Sequence, residues 1–206
     1  MSTAIKDKTR LPAGADWGRL VPEGPGPVRA EDFESWGEDE DNPRELIGGW
    51  VLPMAPIEGD AGRSTVRLSS LLFSIATARG WDLLPDSRHR FPRPADTVLY
   101  PDLALHCLPR AGFLPGTKTI GRVPDLIIEV LARRTFERDM GPHGAKFLAY
   151  QMSGVKEYYY TWPDGKDASG FVLKKGVFLP LRRDSRGFFP SAILGCGLRL
   201  VDAATR

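Results

Sequence analysis

Residues 124–131 read PDLIIEVL, and this stretch is the strongest indication of the fold in the sequence. Its side chains are mostly β-branched or otherwise apolar, and both of its alternating faces are apolar except at Glu129. A short strand that is apolar on both faces lies in the interior of a sheet, covered on each side by other elements. We therefore expect a central strand here, with Glu129 as its one charged side chain.

Helix and strand patterns alternate on both sides of this segment. Leu68, Leu71, Leu72 and Ile75 share one helix face between residues 63 and 79, and Gly80 is a typical helix end. Further helices are expected over residues 30–36 and 145–153. Strands are expected over residues 45–52, 81–84, 88–91, 97–107, 155–162, 171–181 and 198–201. The pattern predicts an α/β protein with additional β-strands towards its C-terminal end.

The length and composition favour one folded domain. A chain of 206 residues with 42% hydrophobic and 26% charged residues can form one substantial core, but two independent cores would be small. Residues 22–27 read PEGPGP, which supports neither a helix nor a strand. We expect an extended N-terminal arm over residues 1–27 and a domain over residues 28–206.

Charge and hydropathy indicate which classes of binding partner the protein can have. No apolar stretch approaches the roughly 20 residues that span a bilayer, and residues 1–27 hold no apolar core of a secretory signal. We therefore expect no membrane association and a cytoplasmic location. The formal net charge of +2 permits nucleic-acid binding but does not indicate it. The oligomeric state is open, and a homodimer is one assembly to test.

Glu129 requires a chemical explanation, because a carboxylate in a buried strand is costly unless a cation, a partner or a proton compensates its charge. One explanation is that Glu129 binds a hard divalent cation, Mg²⁺ or Mn²⁺, both of which prefer oxygen ligands. The other is an ion pair at the strand end with Arg133 or Arg134. The sequence leaves both explanations open.

A metal site needs a second carboxylate, and two aspartates follow prolines. Asp125 lies four residues before Glu129 on the same strand, which separates the two by about 13 Å, too far to share one ion. Asp102 is expected on another strand, and neighbouring strands lie about 4.8 Å apart. Asp102 is therefore the better candidate ligand, and Asp125 is expected at a strand start or in a turn.

Lys146, near the start of the helix expected over residues 145–153, is the candidate cation of the site. A lysine near a metal-bound water and a phosphate can orient the nucleophile and stabilise developing negative charge. Its alternative is a solvated lysine on the helix surface, the commonest situation of this residue type.

The order of these motifs resembles a known family. The residues that carry the resemblance are Glu45 to Gly49, Pro101-Asp102, residues 124–131, Thr135, Asp139, Lys146, Tyr150, Gly154-Val155 and Glu157-Tyr158. In this order they resemble the bacterial "putative restriction endonuclease" family, within the PD-(D/E)xK nuclease superfamily. The similarity covers roughly three quarters of the chain.

The resemblance implies a restriction-endonuclease-like fold, with a mixed central β-sheet flanked by helices. It implies a metal, Mg²⁺ or Mn²⁺, held by Asp102 and Glu129. Leu131 occupies the usual place of the catalytic lysine, so that Lys146 on the following helix is its candidate. Glu45 is an additional acidic candidate, whose alternative is a glutamate on an edge strand that faces water.

The function implied is metal-dependent hydrolysis of phosphodiester bonds by an endonuclease, with DNA as the expected partner. The alternative is an inactive protein of the same fold that binds nucleic acid or a protein. Trp50 supports the alternative, because it stands where the family usually has an acid, and no histidine follows residues 54–56, where the family often carries one. A third possibility is an accessory protein whose acidic cluster is only an ion-pair network.

Overall fold

The computed structural model describes residues 27–36, 42–54, 59–110, 112–131, 136, 144–164 and 167–200. Its helices are α1 (Ala30–Ser35), α2 (Gly59–Arg79) and α3 (Ala145–Ser153). Its first strands are β1 (Arg44–Ile47), β2 (Trp50–Pro53), β3 (Asp82–Pro85), β4 (His89–Phe91), β5 (Thr97–Leu99) and β6 (Leu103–His106). They are followed by β7 (Leu126–Val130), β8 (Glu157–Thr161), β9 (Ala168–Lys174), β10 (Val177–Pro180), β11 (Phe189–Ser191) and β12 (Cys196–Leu198).

Strand β7 is an interior strand of a six-stranded sheet with the order β10-β9-β8-β7-β6-β3. It pairs with β8 in parallel and with β6 in antiparallel orientation, so the sheet is mixed. All five of its residues are buried, as its apolar faces predicted. The expected α/β fold with a mixed central sheet is therefore confirmed.

The two faces of this sheet are covered by different elements. Ile127 packs in a cluster with Phe147 of α3, whereas Ile128 packs on the other face with Leu72 of α2. Because successive side chains of a strand point to opposite faces, Glu129 lies on the same face as Ile127. The sheet therefore directs the Glu129 carboxyl towards α3.

A second sheet has the order β2-β1-β5-β4. Strands β1 and β2 form a tight hairpin in which Gly48 and Gly49 have φ of 59° and 86°, a backbone region that favours glycine. The single strand expected over residues 97–107 is wrong. It is two strands in different sheets, β5 and β6, separated at Pro101, which has no N–H to donate to a continuous ladder.

Helix α2 begins four residues before the expected start at residue 63 and ends at Arg79 as predicted. Its buried residues are Leu68, Leu72 and Ala76, at intervals of four. The expectation that Leu71 shares this face is wrong, because its side chain is 63% exposed. The buried face of α2 is therefore narrower than the face that the apolar residues of the sequence predicted.

The C-terminal hairpin β11–β12 is attached to the sheet by a buried carboxylate. Glu157 at the start of β8 accepts hydrogen bonds from Tyr159 Oη (2.8 Å) and Ser191 Oγ (2.6 Å). It also accepts the backbone N–H groups of Ala192 (2.7 Å) and Ile193 (3.1 Å). These bonds fix the loop after β11 on the sheet face opposite α3, where the hairpin packs with α2.

Of the arm expected over residues 1–27, only the last residue lies within the described residues, so the division into arm and domain stays a prediction. Within the described ranges, no helix is both long enough and apolar enough to cross a membrane.

Candidate active site

Asp102, directly before β6, lies beside Glu129 of the neighbouring strand β7. In the antiparallel pair β6–β7, Leu103 is opposite Ile128, so Asp102, one residue earlier, is opposite Glu129. The backbone N–H of Val130 donates to Asp102 Oδ2 at 2.7 Å, and the N–H of Asp102 lies 3.5 Å from Glu129 Oε2. The strand register thus brings the two carboxyl groups to one place.

Lys146 lies in the first turn of α3 and points at these carboxyls. Its Nζ atom is 3.1 Å from Glu129 Oε1 and 3.0 Å from Glu45 Oε1. The residue is only 5% exposed, so its alternative as a solvated surface lysine is wrong. Burial of an ammonium group requires such carboxylate partners.

Glu45 comes from the other sheet. Strand β1 lies between β2 and β5, and Glu45 is 3% exposed, so it is not an edge glutamate facing water. Its Oε1 also accepts the backbone N–H of Tyr100, just before the Pro101-Asp102 pair, at 3.0 Å. Glu45 therefore ties Lys146 to the segment that carries Asp102.

Tyr150 completes the contacts of Glu129. Its Oη donates a hydrogen bond of 2.5 Å to Glu129 Oε1, and the side chain is fully buried. Tyr150 follows Lys146 by four residues, which places both on one face of α3. In the sequence, Tyr150 was only one of the residues that carry the family resemblance. Its spacing from Lys146 was the signal that could have assigned it to the site.

Burial dominates the electrostatics of the two carboxyls. It raises the pKa of Glu129 to about 8, against the lowering effects of Lys146 and the Tyr150 hydrogen bond, while Asp102 raises it further. Burial also raises the pKa of Asp102, although the Val130 N–H and Lys146 lower it. A hydrogen bond between the two carboxyls lowers the pKa of Asp102 and raises that of Glu129. The nearness of the two buried carboxyls therefore favours uptake of a proton by the pair.

The donor set fits a hard divalent cation. Glu129 Oε1 contacts Tyr150 and Lys146, and Asp102 Oδ2 accepts the Val130 N–H. The candidate ligand oxygens are therefore Asp102 Oδ1 and Glu129 Oε2, the latter in a long 3.5 Å contact with the Asp102 N–H. No group of three His, Cys, Asp or Glu side chains in the described ranges could hold a metal by itself. Two carboxylates are what Mg²⁺ commonly takes from a protein, with water and substrate phosphate as further ligands.

Asp125 lies away from this site, at the opposite end of β7. Its Oδ2 accepts the backbone N–H of Cys107 at 2.8 Å, and its Oδ1 forms an ion pair of 2.6 Å with Lys156. These contacts make Asp125 the strand-start residue that the spacing argument expected. The alternative ion partners of Glu129, Arg133 and Arg134, lie outside the described residues.

His89 and His106 form a buried pair that the sequence did not indicate. Their Nε2 atoms are 3.1 Å apart, and the rings stack with centroids 5.3 Å apart. His89 Nδ1 lies 2.7 Å from the Ser87 carbonyl and must donate to it, so His89 Nε2 accepts and His106 Nε2–H donates. Burial lowers the pKa of each to about 4. The pair is therefore neutral at neutral pH and joins β4 of one sheet to β6 of the other.

Comparisons with known proteins confirm the resemblance. The model of the family Uma2, described as "Putative restriction endonuclease", matches residues 30–198. A solved structure titled as a putative nuclease belonging to DUF820, from Anabaena variabilis, superposes with a TM-score of 0.68. It is 15% identical and covers 84% of this chain and 96% of that chain, a likeness that shows the fold alone. No curated protein matches significantly. Because the family model spans most of the sequence, the chain belongs to the Uma2 family of "putative restriction endonucleases".

Proposed function

We propose that this protein is an endonuclease that uses Mg²⁺ or Mn²⁺ to hydrolyse phosphodiester bonds, with DNA as its substrate. The observation that carries the proposal is that Glu129 contacts both Lys146 and the backbone of the half-buried Asp102. Membership of the nuclease-like family supports the reaction class. The identity of the cation and of the nucleic acid belongs to the proposal.

Asp102 and Glu129 would hold the cation. When bound, a divalent cation lowers the pKa of a water nucleophile and neutralises charge on the phosphate. One oxygen of each carboxyl is fixed by the protein. The Val130 N–H donates to Asp102 Oδ2, and Tyr150 and Lys146 both contact Glu129 Oε1. Ligands held in this way need little reorganisation.

Lys146 is proposed to stabilise negative charge that develops on the phosphate. Its ammonium is held between Glu45 and Glu129, within contact of both (3.0 and 3.1 Å). A fixed cation in a site with little water acts more strongly than the same charge in solvent. Glu45 is proposed as the residue that positions Lys146, from the side opposite Glu129.

The alternative function is binding of nucleic acid or a protein partner without catalysis. Trp50 favours it, because this half-buried residue replaces an acid that is usual in the family and pairs with Ile47, two residues beyond Glu45. A nucleic-acid-binding protein without catalysis would bind DNA but would not cleave it in the presence of any divalent metal ion.

Cleavage of supercoiled plasmid in Mg²⁺ or Mn²⁺, with EDTA as the blank, tests the proposal. Glu129→Gln should reduce the metal-dependent rate by a factor of about 100 or more, because it removes a ligand charge. Asp125→Asn is the matched control, since it removes a carboxylate from the same strand outside the site, and it should retain the rate within a factor of about 3. Equal cleavage by Glu129→Gln and the wild type would contradict the proposal.

The remaining sequence predictions belong to the same proposal. They are a cytoplasmic location, an arm over residues 1–27 in front of one domain over residues 28–206, and a homodimer. Light scattering after size-exclusion chromatography measures the assembly directly, and a mass of one chain at all concentrations would exclude the homodimer.

A further inference from the structure

Four exposed arginines lie near the C-terminal hairpin, outside the carboxylate cluster, and three of them are close to the ring of Phe188 or Phe189. We call this set, Arg182, Arg183, Arg186 and Arg199, the arginine surface. The guanidinium carbons of Arg186 and Arg199 lie 5.5 and 5.8 Å from the centroid of the Phe188 ring. That of Arg183 lies 5.7 Å from the Phe189 ring. Three guanidinium groups thus lie within cation–π distance of an aromatic ring.

The backbone around Phe188 is built for this arrangement. A Cβ atom at Gly197 would lie 2.9 Å from Phe188 Cβ, so the approach of the two strands requires glycine there. Asp184 Oδ1 accepts the backbone N–H groups of Arg186 and Phe188, both at 2.9 Å, which fixes the turn. Asp184 also forms a 3.2 Å ion pair with Arg186. The Arg186 guanidinium is therefore partly pre-positioned, which reduces the entropy lost when it binds a ligand.

Arg199 lies near the edge of the sheet at which Glu129 lies. Glu129 pairs with Tyr160 in the parallel ladder, so Thr161, the next residue of β8, marks the same edge. Thr161 Oγ1 donates to the Leu200 carbonyl at 3.3 Å. Arg199, the neighbour of Leu200, is therefore brought to the strand ends that carry the candidate active site.

Arg183 is connected to the same edge of the sheet through Asp167. Its Nη2 atom is 3.1 Å from Asp167 Oδ1, and Asp167 accepts the backbone N–H of Trp162, directly after β8, at 3.1 Å. Asp167 precedes β9, and two strand spacings from β7 amount to about 10 Å. The arginine surface and the carboxyl pair therefore adjoin one edge of the sheet, although they approach it from opposite faces.

We infer that the arginine surface binds the sugar–phosphate backbone of duplex DNA and places it across the edge at which Glu129 lies. This inference rests on the proposed function and names the part of the chain that would hold its substrate. Arginine presents a planar fork of donors that matches phosphate oxygens. Arg186 Nε and Nη2 donate to Asp184 Oδ2 at 3.3 and 3.2 Å, so a phosphate would share this guanidinium with Asp184. Such contacts set the position of a duplex without reading its sequence.

Fluorescence anisotropy with a short blunt DNA duplex, in EDTA and over a series of salt concentrations, tests the inference without cleavage. The double variant Arg186→Ala with Arg199→Ala should weaken binding roughly tenfold and reduce the log–log salt slope by about 2, at about 0.9 per lost phosphate contact. The matched control, Arg122→Ala with Lys174→Ala, removes two exposed cations elsewhere and should change the dissociation constant less than about twofold. Thermal melting checks that both variants fold.

Equal loss of affinity in both double variants, or no loss in either, would overturn the inference, as would a wild type that fails to bind the duplex. Tighter binding of single-stranded RNA than of the duplex would overturn the assignment to duplex DNA. The proposed catalysis fails separately. A wild type that binds through these arginines but cleaves no nucleic acid in any metal would refute the nuclease proposal and leave the binding surface intact.

Discussion

At the scale of single residues, the candidate site depends on how Glu129 is held. A carboxylate that is 2% exposed is unfavourable on its own, and here Lys146 and Tyr150 both contact its Oε1 atom. Their contacts fix the side chain, so that Oε2 faces the segment of Asp102. Tyr150 is thus a positioning residue for Glu129, the proposed ligand.

Tyr150→Phe should weaken Mn²⁺ binding by roughly 10-fold, measured by isothermal titration calorimetry, because the hydroxyl that orients Glu129 is lost. Tyr159→Phe is the control, since it removes a buried hydroxyl that donates to a carboxylate outside the site, Glu157. Both variants should lose about 1–2 kcal/mol of unfolding free energy. A loss of stability without any change in metal affinity for Tyr150→Phe would show that its role is only structural.

At the scale of elements, β7 and the helix after it were readable from the sequence, because their patterns are local. An apolar run with one carboxylate indicated an interior strand, and Gly154 ended α3, where its φ is 90°. These expectations required no knowledge of which distant segments pair. The facing of Asp102 and Glu129 did require it, because the strand spacing only allowed the two carboxyls to converge if their strands were neighbours.

What the sequence could not give depends on pairing between distant elements. Pro101 is a local sign of a break, but nothing local shows that β5 and β6 enter different sheets. The exposure of Leu71 depends on which face of α2 meets the sheet. His89 and His106 have no informative spacing, because it is the meeting of the two sheets that brings them together.

The histidine pair should make stability fall in acid. The pKa of each is lowered from 6.5 to about 4 in the folded chain, so the unfolded chain binds more protons between these values. The pair's contribution is therefore complete above pH 6.5 and is lost as the pH falls towards 4. For one histidine the loss is on the order of 3 kcal/mol.

Urea unfolding of the wild type between neutral pH and pH 4 measures this loss. A double variant, His89→Leu with His106→Leu, should show a flatter dependence over the same interval, whatever its stability at neutral pH. If the unfolding free energies of the two proteins fall equally with decreasing pH, groups other than the histidine pair cause the acid sensitivity.

At the scale of the whole molecule, the candidate site lies where three elements of different origin converge. Glu45 belongs to the four-stranded sheet, Asp102 and Glu129 to the six-stranded sheet, and Lys146 to α3. The C-terminal hairpin brings the arginine surface to the same sheet edge from the opposite face. The fold thus combines a carboxylate site with a basic surface, although the net charge of +2 gave no indication of it.

We propose above all that Asp102 and Glu129 together bind a divalent cation. Anomalous diffraction from crystals soaked in Mn²⁺ locates the ion without reference to activity. We expect a peak within coordination distance of both carboxyls, about 2 Å from their oxygens, that is absent in Glu129→Gln. No peak at these residues, or a peak that persists unchanged in Glu129→Gln, would show that the two carboxyls do not hold the ion.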